Sequence, residues 1–99
     1  MSETPPGTPP VRFHVADAAV ARVAQRRAEQ VPGVVALRRG ATAAVQDGTA
    51  EVRLAVVTRI GHNARDLAQA VQREVAAELA AYTGLRAVVA VTVAEILVD

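Results

Sequence analysis

Ninety-nine residues leave room for a single domain with one modest core, because a chain of this size buries only roughly 60–65% of the surface it exposes when unfolded. A net charge of +1, 21% charged residues and no cysteine exclude disordered and fibrous classes, disulfide scaffolds, thiolate metal sites and thiol nucleophiles. The apolar half is made from 22 Ala and 18 Val, against six Leu and two Ile, so the core must be assembled from small side chains. Its longest uninterrupted apolar run, residues 87–91, is far short of the ~20 residues needed to span a bilayer.

Met1 to Pro10 holds four of the five prolines and no aliphatic residue after Met1. It predicts an extended tail with nothing to pack, ahead of one domain over residues 11–99. Val11, Phe13 and Val15 alternate with Arg12 and His14, which predicts a short strand before Asp17. Val20, Val23, Ala24, Ala28 and then Val31 recur at helical spacing, and Pro32-Gly33 ends that first helix. Val35 and Leu37 share one parity in a run that stops at Arg38-Arg39-Gly40, Thr42 to Gln46 follows, and Asp47-Gly48 is a two-residue hairpin signal.

From Ala50 to Ile60 the alternation is clean, with Val52, Leu54, Val56, Thr58 and Ile60 on one face and Glu51, Arg53, Ala55, Val57 and Arg59 on the other. Asn63 can cap a second helix in which Leu67, Val71, Val75, Leu79 and Tyr82 repeat, and Gly84 supplies a left-handed terminator. Leu85 to Val98 is β-branched and nearly free of charge, hence a strand expected to be buried over most of its length. The order predicts an α+β fold in which two helices pack on one face of a mostly antiparallel sheet, ferredoxin-like with an extended central hairpin.

No catalytic constellation stands out. His14 and His62 have no Asp or Glu at ligand spacing, so no metal or other cofactor is expected. Glu74 and Glu78 read as a wet helix face, and the hydroxyls lack a nucleophile context. Gly61-His62-Asn63-Ala64-Arg65 offers amides and one guanidinium at a helix start, a physically competent anion site whose leading reading is a plain cap. Arg22, Arg26 and Arg27 form a basic stripe on the first helix, read chiefly as a solvated face and secondarily as a contact for anionic lipid or an acidic partner. Nucleic-acid binding is not expected, since the predicted strands from Val34 to Val98 carry no stacking aromatic.

Two helices cover only one face of a sheet. The other face would show Ala55, Val57, Val88, Ala90, Thr92, Ala94 and Ile96 to water, a candidate self-association surface for a dimer or higher homo-oligomer. Its rim is expected to pair Arg53 or Arg59 with Glu51 or Glu95 across the interface.

Taken in order, Val31-Pro32-Gly33-Val34, Ile60-Gly61, Val71-Gln72, Tyr82-Thr83-Gly84-Leu85 and the triplet Val89, Val91, Val93 resemble the alkaline shock protein family of Gram-positive envelope stress response proteins. The eleven cations are all Arg, a bias of GC-rich codons that points to a high-GC bacterium. The resemblance spans residues 11–98 and departs from the family at Ala16, where a Ser or Thr cap is usual, and at Tyr82, which replaces a common Met. It implies a non-enzymatic, self-associating scaffold in the cytoplasm, held near the inner membrane face by a membrane-anchored protein partner. The alternative is a small-molecule-sensing regulatory domain of ferredoxin-like type.

Overall fold

The computed structural model describes residues 9–98, with side chains from residue 16 onward. In chain order it contains α1 (Pro9–Glu29), β1 (Ala36–Gln46), β2 (Thr49–Arg59), α2 (Ala64–Thr83) and β3 (Arg86–Leu97). The sheet order is β1-β2-β3, with β1 antiparallel to β2 and β3 parallel to β2. The fold is α+β as the patterning implies, and the sheet is mixed rather than mostly antiparallel. The reason lies in the connections: the two-residue Asp47-Gly48 turn forces antiparallel neighbours, whereas the return through 20-residue α2 lets β3 run parallel to β2.

Two expectations need correction at the amino end. The strand expected at Val11–Val15 is instead part of α1. An alternation five residues long also places Val11 and Val15 at i, i+4, and the Ala-rich sequence that follows favours continuing one helix. The expected tail ends earlier than Pro10, because Pro9 and Pro10 sit in the first turn of α1, where missing amide hydrogens cost nothing. Residues 1–8 of that tail lie outside the described residues.

The core lies between the helices and one sheet face. Val20, Ala24, Ala28 and Val31 from α1 and its exit meet Ala50, Val52, Leu54 and Val56 of β2, with Leu67, Val71, Val75 and Leu79 of α2 and Val89 of β3 closing it. Ala24, Ala28 and Ala50 have no exposed surface, and their small side chains let the α1 backbone sit close on the sheet. Gly33 leaves α1 at φ 101°, a conformation strained for any residue with a side chain, and a β-carbon there would also stand 3.1 Å from Leu67 Cδ1. The one buried polar side chain described, Thr58, donates to the Gly33 carbonyl at 2.7 Å and is thereby satisfied.

Local signals at the turns and caps behave as their chemistry dictates. Asp47 and Gly48 both have positive φ, 53° and 76°, the geometry of a type I′ turn. The Asn63 side chain accepts from the Asp66 amide at 3.0 Å, and Gly84 (φ 72°) donates its amide to the Ala80 carbonyl at 3.0 Å. Asp17 lies inside α1 and accepts a 2.9 Å bond from the Val45 amide of edge strand β1. Gln72 of α2 does the matching service on the opposite edge, donating to the Val89 carbonyl of β3 at 2.9 Å.

Replacing Leu79, which is fully buried, with Ala should cost about 2–5 kcal/mol, against about 1 kcal/mol for Asn63→Ala. Urea unfolding of both variants checks this. Equal losses would mean that α2 is held by its cap rather than by its buried row.

Candidate functional site

Alternation along β2 sorts its side chains between two environments. Val52, Leu54, Val56 and Thr58 turn to the helices and are buried. Glu51, Arg53, Ala55 and Val57 turn to the face that no described element covers. The register adds Ala44, Thr42 and Ala36 from β1 and Val88, Ala90, Thr92 and Glu95 from β3. Val88 is 52% exposed, and Ala90, Thr92 and Ala94 are exposed with it, while Ala55 is half-buried.

Two bulges reshape this face and alter the expected strip. On β3, Val56 pairs Val93 but Val57 pairs Glu95, so Ala94 is an extra residue and the parity beyond it reverses. Ile96 therefore aligns with Thr58, in the helix-facing row, and does not continue the Val88-Ala90-Thr92 row; at 47% exposure it lies at the margin of the core. On β1, Leu37 pairs Val56 and Ala41 pairs Leu54, which leaves Arg38, Arg39 and Gly40 opposite Ala55 alone. Arg39 and Gly40 have positive φ, 64° and 67°. Breaking the alternation at Arg38-Arg39-Gly40 was the sequence signal for this bulge.

Val57 also departs from expectation, being only 8% exposed. Arg38 on β1 and Glu95 on β3 form an ion pair, and β2 lies between those strands, so the pair must cross over it beside the Ala36, Val57, Glu95 row. Glu95 is thus engaged within its own chain rather than left to meet Arg53 or Arg59 of another. Beside the bulge the face is concave, a cavity of about 410 Å³ lined by Arg38, Arg39, Thr42, Arg53, Ala90 and Thr92 among others.

The basic stripe of α1 divides. Arg22 and Arg26 are exposed, but Arg27 is paired with Glu74 of α2 and also donates to Gln30 at 3.2 Å. It is therefore a strut between helices, which takes it out of the contact surface expected with Arg22 and Arg26. The bond to Arg27 holds the Glu74 carboxyl below its ordinary 4.5, and Arg27 is raised by the same bond. The Gly61-Asn63 loop serves as the cap of α2, and His62 is exposed. Among the described residues no three His, Asp or Glu side chains gather as a metal site would require, and no helix is long and apolar enough to cross a membrane.

No protein-family profile and no curated protein matches the chain in sequence. Solved structures do match in shape. A triple variant of the MamM CTD superposes with a TM-score of 0.68 at 20% identity, covering 82% of this chain and 96% of that one. Its fold is that of the MamM CTD. A single-residue variant gives 0.67 at 18% identity over 86% and 98% of the two chains, and a nickel form of another gives 0.64 at 19% over 83% and 98%. At such identities the likeness establishes the ferredoxin-like α+β architecture and nothing finer.

A carboxylate whose folded pKa is lowered contributes stability that is present above its unfolded value and lost as pH falls through the folded one. The Arg27–Glu74 contribution should therefore persist at neutral pH and disappear on acidification below 4.5. Urea midpoints measured against pH should fall less steeply in Glu74→Gln than in the parent. Parallel curves would show that the pair carries no pH-dependent stability.

Proposed function

We propose that this chain is a non-enzymatic interaction and regulatory domain that associates with a second copy of itself through the open face of its sheet. The observation that carries the reading is the exposed row Val88, Ala90 and Thr92 beside half-buried Ala55, on a face that no described element covers. A sheet of three 11- to 12-residue strands presents a footprint of about 14 by 36 Å, or ~500 Å², smaller than the ~800 Å² per partner of a standard stable interface. The dimer is accordingly weak and reversible, which suits a regulated contact.

Two finer readings divide on what the association serves. Likeness to MamM CTD structures, among them nickel and copper forms of variants, supports a ligand-responsive regulatory domain. The order of the Gly33-Val34, Gly61, Gln72 and Thr83-Gly84-Leu85 motifs supports an envelope stress protein of the alkaline shock family, acting at the inner membrane face through a membrane-anchored partner. Several of these residues have structural work in the fold: Gly33 at the helix exit, Gln72 on the β3 edge and Gly84 at the end of α2. The fold comparison favours the regulatory reading, and the motif order favours the stress-response one.

Thermal shift against divalent metals and a metabolite panel separates the two: reproducible stabilisation by one ligand class supports the regulatory domain, and none supports the scaffold. For the shared claim, sedimentation at ~100 µM, corresponding to about −5.5 kcal/mol, should show dimer in the parent and monomer in Ala90→Arg. A parent that stays monomeric, or a dimer indifferent to that substitution, contradicts pairing through this face.

A further inference from the structure

The concavity beside the β1 bulge carries more positive charge than the face around it neutralises. Arg38 at its margin is engaged by Glu95, but Arg39 and Arg53 have no hydrogen-bond or ion-pair partner among the described residues, and neither do the hydroxyls of Thr42 and Thr92. Of the described residues lining the cavity, none bears a carboxylate. Arg39 comes from the bulge and Arg53 from the central strand, so two guanidinium groups on different strands border one cavity of about 410 Å³. That volume is at the small end of ligand cavities, which run from about 300 to 1,000 Å³.

The bulge that presents Arg39 is braced from behind. Gly40 stands where a β-carbon would lie 2.8 Å from Gln25 Oε1 of α1, so the helix packs against the bulge on the side away from the open face. With φ at 64° and 67°, residues 39 and 40 are held in a geometry that turns the chain out of the ladder, and residues 38–40 have no register partner in β2. Arg39 is therefore presented by the backbone of the strand itself, at a bulge of defined geometry, with its side chain exposed.

We propose that this cavity is a binding site for a small soluble phosphoryl compound, gripped by the guanidinium groups of Arg39 and Arg53 and hydrogen-bonded by Thr42 and Thr92. Each guanidinium offers a rigid fork of N–H donors that matches two oxygens of a phosphoryl group, and two forks from different strands suit a ligand with more than one such group. A flat anionic surface suits the site poorly. Glu51 is exposed on the same face and would meet such a surface with like charge, whereas the concavity itself is lined by no carboxylate among the described residues. The inference does not rest on self-association, although the site lies in the face proposed to pair.

Inorganic pyrophosphate is a suitable probe, titrated calorimetrically into the full chain at low ionic strength and at a concentration where sedimentation shows monomer. One site per chain is expected. Arg53→Gln and Arg39→Gln should each weaken binding by about tenfold or more, whereas Arg22→Gln combined with Arg26→Gln on α1 should leave it within about twofold. Arg53→Lys, which keeps the charge but loses the fork, should resemble Arg53→Gln more than the parent. Melting curves of each variant separate lost binding from lost folding, and Arg53, exposed on a regular strand, is the substitution expected to leave folding intact. Three results would overturn the proposal: no binding of pyrophosphate at millimolar concentration, equal weakening by the α1 double substitution, or retention on phosphatidylglycerol vesicles that pyrophosphate fails to displace.

Discussion

Both helices lie on the same side of a three-stranded sheet, and the close approach of small side chains there is the constraint on which the rest of the structure depends. Ala24 and Ala28 of α1 and Ala50 of β2 are wholly buried, and each contributes only a methyl group to the layer between helices and sheet. The Val and Leu side chains of β2 and α2 fill the remaining space. A core of this kind gains little from any one of its alanines and must rely on continuity of contact, with the few Leu side chains contributing most individually. It also commits one face of β2 entirely to the helices and leaves the opposite parity without a cover.

The sheet edges and the open face are managed differently. Helix side chains bind both edges, Asp17 accepting from the β1 amide of Val45 and Gln72 donating to the β3 carbonyl of Val89. Such bonds occupy polar groups that would otherwise template another strand. The open face is only partly masked: the Arg38–Glu95 pair crosses β2 near Val57, while Val88, Ala90 and Thr92 stay exposed. The chemistry of that face is mixed, an apolar row on β3 beside a basic concavity next to β1.

Much of this was legible in the residues. The period of α2 as far as Leu79, its Asn63 and Gly84 terminators, the Asp47-Gly48 turn and the alternation of β2 from Glu51 to Val56 act locally and appear where their chemistry places them. Tyr82 and Ile60, the last members of the two expected rows, are instead exposed. What escaped depends on pairing between distant segments. Nothing in the spacing of Leu85 to Val98 tells that Ala94 is unmatched, because a bulge is a property of two strands and not of one; the turn of Ile96 away from the open face follows only from that register. The Arg27–Glu74 strut joins residues 47 apart, and the Arg38–Glu95 pair joins residues 57 apart. At the amino end, five residues of alternation were too short a pattern to separate a strand from the start of α1.

The central claim is that the uncovered face, and not the helices, is the surface through which this domain acts. Backbone and methyl NMR spectra recorded from low micromolar to millimolar protein test it most directly, since each residue reports for itself. Concentration-dependent shifts confined to Ala55, Val88, Ala90, Thr92 and their neighbours on the open face are the expected result. Shifts clustered on Arg22, Arg26 and the exposed side of α1, with the sheet silent, would contradict the account.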